Sequence, residues 1–253
     1  MIRPIAWRQP VLQIAFFAVF IAGWEWFGRT QNRLLFAPFS ESLAALFELA
    51  RGGELFTALW ESNQAMGAGF AAAVLLGIPC GLLLGRLPPF ERLLNPYLNI
   101  LIVTPMSAIV PLVIGVAGIG LFSRSLLVFA FAFPSIVINT RAGLKHIDPI
   151  LIDMARSFGA GEFHLWRKVL LPGAGPAMLS GLRIGLGRAL SGMVVSEFLL
   201  VAVGLGRLIL RAMGVFEPEK VYAVIVVISA EAILLMNLAR RVERRLLNWQ
   251  EAG

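Results

Sequence analysis

The sequence predicts an all-α membrane protein with about six transmembrane helices, and three observations support this fold class. Hydrophobic residues make up 58% of the 253 residues, above the roughly one-half that is usual in soluble domains. The apolar residues form runs long enough to cross a bilayer, which requires about 20 helical residues. Polar side chains are concentrated in one loop, residues 141–172. The predicted spans are residues 11–28, 63–85, 97–119, 125–140, 174–200 and 221–239, all within a single membrane domain, residues 1–253.

The first span could instead be a signal peptide, because Arg3 and Arg8 precede its apolar run. The run continues into Trp24, Glu25 and Trp26, however, and no small-x-small cleavage site follows it. We therefore expect this segment to be a retained helix.

The segment after the first span has the pattern of a short helix. Ser40 is a suitable N-cap for a helix over residues 41–51, whose apolar side chains recur at helical spacing. Gly52 and Gly53 should end this helix, and residues 55–60 should begin another short apolar segment. We expect the region to lie on the membrane or to cap the helical bundle, with a docking surface for an external partner as the alternative.

Glycines in the second and fifth spans favour close helix packing. Gly77, Gly81 and Gly85 lie four residues apart, as do Gly181 and Gly185. Because this spacing lets another helix backbone approach closely, it predicts a tightly packed bundle or an oligomer.

Prolines are expected to break several spans. Each of four prolines should interrupt a backbone hydrogen bond, namely Pro79, Pro105, Pro111 and Pro134. Broken membrane helices occur where they are buried in protein or line a watery cavity. Thr104, Pro105, Met106 and Ser107 are therefore candidates for lining a solute pathway, with ordinary helix packing as the alternative.

The charge distribution indicates membrane topology, not nucleic-acid binding. The chain has 22 Lys and Arg against 15 Asp and Glu, a net charge of +7. With both termini in the cytoplasm, 13 basic residues fall in the internal segments and seven in the external ones. This asymmetry follows the positive-inside rule, and it places the loop 141–172, with five basic residues, in the cytoplasm.

Four charged side chains lie deep within predicted spans: Arg183, Arg188, Glu197 and Glu231. A charge at such a depth is costly and indicates a functional site unless it is paired or hydrated. Arg183 could extend to the cytoplasmic headgroups. We expect Glu197 to gate the pathway or to pair with Arg207 or Arg211, and Glu231 to pair with Arg188.

Neither a disulfide nor a metal site is expected. Cys80 is the only cysteine, so no intrachain disulfide can form. The only histidines, His146 and His164, are 18 residues apart, and the sequence suggests no third ligand. We expect this chain itself to bind no metal and no cofactor.

The loop 141–172 predicts a rigid pair of short helices. Asp148 and Pro149 make a favourable helix start, and Gly159 can end a helix over residues 150–158 by adopting a positive φ. Gly161 should open a second helix over residues 162–170, which Pro172 should stop. We call residues 148–170 the knob, because two short helices joined by a glycine bend would transmit force to a soluble partner.

The loop resembles the EAA loop of ATP-binding-cassette (ABC) importer permeases, in which Glu-Ala-Ala is followed by Gly and then by Ile-x-Leu-Pro. The pattern here is Asp153-Met154-Ala155, then Gly159, then Val169-Leu170-Leu171-Pro172. Asp replaces Glu and Met replaces the first Ala, whereas the acid, the second alanine, the glycine and the proline are kept. The resemblance implies that the following residues couple the chain to an ATPase: Asp153, Ala155, Arg156, Ser157, Phe158, Gly159, Ala160, Gly161, Glu162, Leu171 and Pro172.

The resemblance extends over nearly the whole chain, through residues 62–85 and 104–120, Gly181-Leu182-Arg183, Ser196-Glu197 and Gly204-Leu205-Gly206. These segments are similar to the branch of permeases that serves nitrate, taurine, alkyl sulfonates, bicarbonate and precursors of thiamine or riboflavin. The resemblance therefore implies a type I ABC importer permease fold. It also implies a solute that is a small organic or inorganic anion or a vitamin precursor.

The resemblance also implies partners. A second copy of the chain would complete a homodimeric pathway in the bacterial cytoplasmic (inner) membrane, and an external solute-binding protein would deliver the solute. Two separate ATPase subunits would carry ATP and Mg and would push on the knobs. Because the chain contains no G-x-x-x-x-G-K-[ST] motif, we expect ATP hydrolysis in the partner and no enzymatic activity in this chain.

A passive channel and an intramembrane enzyme are the alternative functions. A channel would leave the knob without a role. A rhomboid-like serine protease would need a histidine within the membrane, but both histidines lie in the loop 141–172. A metalloprotease would need an H-E-x-x-H motif, which the sequence does not contain.

Overall fold

The computed structural model describes residues 8–247, and these residues form eleven α-helices and no β-strand. The helices are α1 (Arg8–Thr30), α2 (Phe39–Arg51), α3 (Glu54–Arg86), α4 (Pro88–Val103), α5 (Val110–Ala117), α6 (Leu121–Lys145), α7 (Pro149–Ser157), α8 (Glu162–Leu165), α9 (Leu171–Leu199), α10 (Gly204–Gly214) and α11 (Pro218–Leu247). A 3-10 turn (Met106–Ile109) precedes α5, and a π-helical turn (Trp166–Leu170) joins α8 to α9. The all-α fold class is confirmed.

Four helical segments in the described part of the chain are long and apolar enough to cross a membrane: Glu54–Arg86, Leu121–Lys145, Glu162–Leu199 and Pro218–Leu247. They contain the predicted spans 63–85, 125–140 and 221–239, and all of the span 174–200 except its last residue. The predicted span 97–119 corresponds to α4 and the segment Met106–Ala117, which would count as a fifth span bent by 102°. The predicted span 11–28 lies in α1, a helix of 23 residues that is not one of these candidates.

The core is a three-helix layer with α6 in the middle, packed against α3 on one side and α9 on the other. A Cβ atom added at Gly81 of α3 would lie 2.6 Å from the Cβ of Thr140, and one added at Gly185 of α9 would lie 2.7 Å from Cγ1 of Ile136. Both glycine stripes therefore face α6 and let the backbones approach closely. The predicted tight packing is confirmed within this chain.

The region after α1 differs from the prediction in two ways. Ser40 does not cap α2, which begins at Phe39 without a side-chain cap; the Ser40 hydroxyl instead donates to the Glu25 carboxylate at 2.8 Å. Gly52 follows the last residue of α2, as expected. Residues 55–60 are not a separate segment. They form the first turns of α3, because nothing after Gly53 breaks the helix before it enters the predicted span.

The prolines have different effects in the structure. Pro79 and Pro134 lie inside α3 and α6, as predicted. Pro105 ends α4, because the residue before a proline is driven to an extended conformation and Thr104 has φ −65° and ψ 127°. The prediction for Pro111 was wrong: it lies in the first turn of α5, where a missing N–H removes no intrahelical hydrogen bond.

Candidate functional site

The start of the knob is fixed by local hydrogen bonding. The Asp148 carboxylate accepts a hydrogen bond from the backbone N–H of Ile150 at 2.9 Å, and Pro149 opens α7. The carboxylate satisfies an N–H group that would otherwise have no partner in the first turn. The predicted helix start is confirmed.

The end of α7 is a hydrogen-bonded bend. Gly159 has φ 79°, its N–H donates to the carbonyl of Arg156 at 2.9 Å, and the N–H of Ala160 donates to the carbonyl of Ala155 at 3.0 Å. This pair of bonds around a left-handed residue is a Schellman motif. Glycine is the residue that adopts this φ without strain, so the predicted role of Gly159 in the bend is confirmed.

The second half of the knob does not end where the sequence suggested. Pro172 does not stop a helix over residues 162–170; α8 continues through the π-helical turn into α9, and Pro172 lies in the first turn of α9. The N–H of Leu171 donates to the carbonyl of Trp166, a bond that is one residue longer than in an α-helix. Since this wider turn ends just before the proline, the helix continues without a break, and Glu162–Leu199 is one long element.

The inner side of the knob is attached to the ends of two membrane helices. Leu144, Leu165 and Leu170 are almost completely buried together, and Ile152 and Ala155 of α7 pack against them. The second alanine of the EAA-like pattern therefore lies on the packed side of α7. The knob is joined to α6 and α9 by an apolar contact and not only by the chain.

The outer side of the knob carries an apolar patch. Its side chains are at least half exposed, and Phe158 is 85% exposed. The patch consists of Ile150, Leu151, Met154, Phe158 and Phe163. Contiguous apolar groups exposed at a polar end of a protein indicate a contact surface for another molecule.

Some of the charged residues around the patch form ion pairs within the chain. Glu162 pairs with Arg86 at 3.2 Å and with Arg156 at 3.5 Å, which ties the start of α8 to the end of α3. Asp153 is exposed, and no ion pair within residues 8–247 involves it. Its carboxylate is therefore available to a partner.

Glu91, at the start of α4 and before the predicted span 97–119, holds two basic residues of the loop 141–172. It accepts a hydrogen bond from Lys145 and lies 3.6 Å from Arg141. The hydrogen bond from Lys145 lowers the pKa of the Glu91 carboxyl, with a smaller contribution from the two positive charges. These contacts fix α4 to the end of α6 next to the knob.

The predicted pathway residues lie at the sharp bend between α4 and α5. The Thr104 hydroxyl donates to the carbonyl of Ile100 at 2.7 Å, which satisfies it within its own helix. Pro105 and Ser107 are exposed, and Met106 is partly buried. Their role in a pathway stays a prediction.

Glu197 is not placed with these residues. It is only 1% exposed, and its Oε2 accepts a hydrogen bond from the N–H of Gly206 at 2.8 Å. The predicted pairing with Arg207 or Arg211 was wrong, because Arg207 pairs with Glu61 at 3.1 Å and Arg211 with Glu54 at 3.8 Å.

Glu197 belongs instead to a polar cluster that caps α10. The first three N–H groups of α10 donate to Glu61 at 3.0 Å, to Ser62 at 3.0 Å and to Glu197 at 2.8 Å. These N–H groups have no partner within the helix, and negative charge is favourable at a helix N-terminus. We call Glu61, Ser62 and Glu197 with the N–H groups of Gly204–Gly206 the polar cluster; it fastens α10 to α3 and α9.

Sequence reasoning missed this cluster. The segment Gly204-Leu205-Gly206 offers no capping side chain of its own, which signals that caps must come from elsewhere. Glu61 and Ser62 lie 143 residues before their partners, and no local pattern identifies them.

The remaining charges within the spans are arranged differently from the prediction. Glu231 does not pair with Arg188; its Oε1 accepts a hydrogen bond from the Asn63 side chain at 2.7 Å. Arg183 pairs with Glu243 at 3.3 Å, so it binds a carboxylate of α11. Within residues 8–247, Arg188 is exposed and no ion pair involves it.

The histidines and the cysteine form no cluster. His146 Nδ1 lies 2.6 Å from the carbonyl oxygen of Ala142, and Cys80 is a free thiol in α3. In the described part of the chain, no group of three His, Cys, Asp or Glu side chains is placed to hold a metal ion.

Comparison with known proteins agrees with this geometry. Residues 73–248 match the family described as "Binding-protein-dependent transport system inner membrane component". The chain is 32% identical to the taurine transport system permease protein TauC of Escherichia coli (strain K12), over 98% of this chain and 94% of the relative. It is 34% identical to the putative aliphatic sulfonates transport permease protein SsuC of Bacillus subtilis (strain 168), over 81% of this chain and 74% of the relative.

A solved structure has the same fold. A chain of the inward-facing MetNI methionine ABC transporter superposes with a TM-score of 0.67 at 23% sequence identity. The superposition covers 76% of this chain and 95% of the other. The predicted permease fold is thereby confirmed.

Proposed function

The chain belongs to the family of binding-protein-dependent transport system inner membrane components, as a permease subunit of an ABC importer, and from this premise we propose that its knob binds a separate ATPase subunit. The apolar patch carries the proposal. It exposes five large apolar side chains on a segment that is rigid at its start and at its bend.

The orientation follows from the charges. With the loop 141–172 in the cytoplasm, 13 basic residues lie inside and seven outside, in agreement with the positive-inside rule. Both termini would then be cytoplasmic, although residues 1–7 and 248–253 lie outside the described residues. The knob would face the compartment in which ATP is available.

The patch has the composition of an interface centre. Aromatic and methionine side chains are enriched at such centres, and a few of them supply most of the binding energy. Phe158 is the most exposed large apolar residue of the knob, and Asp153, five residues earlier, is exposed without an ion pair in residues 8–247. We assign Phe158 as the main contact and Asp153 as a polar contact at the rim.

The continuity of α8 and α9 supplies the path for coupling. Glu162–Leu199 runs from the knob through the membrane without a break, so a displacement of the knob moves the membrane helix with it. Two ATPase subunits, each with ATP and Mg, would clasp the knobs of two copies of this chain. Their closure and reopening would alternate the pathway between its two sides.

The solute we propose is a small sulfonate. The support is the similarity to TauC and SsuC, whose names specify taurine and aliphatic sulfonates. An external binding protein would deliver the solute at the end opposite the knob, where α2 and α10 lie near the start of α11.

The test is co-purification of the tagged chain with its ABC ATPase. Phe158→Ala should weaken the association by about 2 kcal/mol, or roughly 30-fold, and Asp153→Lys should weaken it as well. Trp60→Ala is the matched control, because Trp60 is an aromatic residue that is 68% exposed outside the knob. Equal recovery of the ATPase with the Phe158→Ala and Trp60→Ala chains would contradict the proposal.

A further inference from the structure

We propose that Arg188 lies in the solute pathway and binds the anionic group of the transported solute, an inference that rests on the permease function proposed above. Within residues 8–247, Arg188 is a charge inside the spans that the fold leaves without an ion-pair partner. Its depth, its surroundings and its chemistry each support this assignment.

The depth of Arg188 excludes contact with lipid headgroups. It lies 14 residues after the start and 12 residues before the end of the predicted span 174–200. At a rise of 1.5 Å per residue these distances are about 21 Å and about 18 Å, well beyond the reach of an arginine side chain. A charge at this depth is not tolerated against hydrocarbon and faces water or a polar partner.

In the described part of the chain, no polar partner of the Arg188 side chain is present. Glu231, the acid that the sequence suggested, is engaged by Asn63 at 2.7 Å. Arg183, one and a half turns earlier in α9, pairs with Glu243 at 3.3 Å. Within residues 8–247 no carboxylate oxygen lies within 4 Å of the Arg188 guanidinium.

The helix face that carries Arg188 is open. The neighbouring face of α9 is filled, because Gly181 and Gly185 contact α6. Ile184, Arg188 and Ser191 follow one another at helical spacing and are all exposed. This face thus combines a positive charge with a hydroxyl group in the middle of the membrane.

The chemistry of the guanidinium specifies an oxyanion. Its planar fork of N–H donors binds two oxygens at once, and it is less strongly hydrated than an ammonium group. A sulfonate presents three equivalent oxygens to such a fork. In an importer, a charge in the middle of the membrane is hydrated by the water of the solute pathway. A sulfonate that moves through this pathway can therefore reach the Arg188 guanidinium.

The first experiment measures uptake. The chain is reconstituted in vesicles with its ATPase and binding protein, and ATP-driven uptake of taurine and of ethanesulfonate is followed. Arg188→Gln should reduce uptake of the transported sulfonate at least tenfold at low concentration, whereas Arg188→Lys should restore part of it. Arg183→Gln, the control in the same helix, should stay within about threefold of wild type. Uptake by the Arg188→Gln complex within twofold of wild type would overturn the inference.

The second experiment tests the position without using transport. In a Cys80→Ser background, Arg188→Cys should react with a water-soluble, charged thiol reagent, because the thiolate that reacts forms only in contact with water. Ethanesulfonate should slow this reaction. Ile233→Cys, at an exposed apolar position of α11, should react far more slowly. Equal, slow reaction at both positions would place Arg188 against lipid or a second copy and overturn the inference.

Different results would contradict the proposed permease function and the proposed role of Arg188. If the wild-type chain recovers no ATPase, the permease function proposed above is contradicted. If the wild-type complex assembles and imports a sulfonate, but the Arg188→Gln complex imports it equally well, only the assignment of the anion to Arg188 is contradicted.

Discussion

The knob and the polar cluster differ in which kinds of side chain they expose and which they bury. In the polar cluster Glu197 is buried and Glu61 is partly buried, and each of the first three N–H groups of α10 donates to a side chain of the same chain. In the knob five large apolar side chains are exposed, and Asp153 has no ion pair in the described residues. The chain supplies the partners of these three N–H groups by itself, whereas the exposed side of the knob is suited to contact another molecule.

This difference separates stability from coupling. A substitution in the polar cluster leaves a buried group unpaired and should lower the free energy of unfolding. A substitution on the exposed side of the knob removes little from the folded chain, because its side chain already faces solvent. It should instead lower the affinity for a partner.

The largest effect on stability is expected from Glu197→Ala. The substitution removes a side chain that is 1% exposed and leaves the N–H of Gly206 without its acceptor, so the free energy of unfolding should fall by roughly 2–4 kcal/mol. Thermal unfolding of the purified chain in detergent measures this loss.

Arg207→Gln is the matched control for Glu197→Ala. Arg207 lies next to the cluster, but its ion pair with Glu61 is 42% exposed on the arginine side, so its loss should cost less than about 1 kcal/mol. If the two variants unfold at the same temperature, the polar cluster does not stabilise α10 as described.

A smaller effect is expected from Gly159→Val in the knob. A β-branched residue at φ 79° is strained by about 1–3 kcal/mol, although no atom lies within 4 Å of the added Cβ. The strain should distort the bend and reduce ATP-driven uptake, with little change in the stability of the membrane helices. An uptake assay of the reconstituted importer measures this reduction.

Gly161→Val separates strain from bulk in this experiment. Gly161 has φ −68°, which any residue adopts, and it too has open space around its Cβ position. Gly161→Val should therefore reduce uptake much less than Gly159→Val. Equal loss of uptake in both variants would show that side-chain bulk, and not the backbone bend, disturbs the knob.

The same two regions show what a sequence can predict. The start and bend of α7 were predictable because Asp148, Pro149 and Gly159 act on backbone groups within a few residues of themselves. The polar cluster was not, because it joins α3 to α10 across 143 residues. The pairings expected for Glu197 and Glu231 failed for the same reason: the spacing of charges along a sequence does not specify which helices meet.

Pro172 shows a second limit of prediction from the sequence. The rule that proline ends a helix assumes α-helical hydrogen bonding on both sides. The π-helical turn Trp166–Leu170 shifts the bonding by one residue just before the proline, so the helix continues. No residue pattern in the segment predicts this π-helical turn.

The accessibility of position 158, with and without the ATPase, tests most directly whether the knob is the ATPase-binding surface. In a Cys80→Ser background, Phe158→Cys should react rapidly with a water-soluble thiol reagent in the isolated chain, because the position is 85% exposed. We expect strong protection of Phe158→Cys when the ATPase is bound and no protection of Trp60→Cys in the same complex. Undiminished reaction of Phe158→Cys in an assembled complex would contradict the claim that the knob is the ATPase-binding surface.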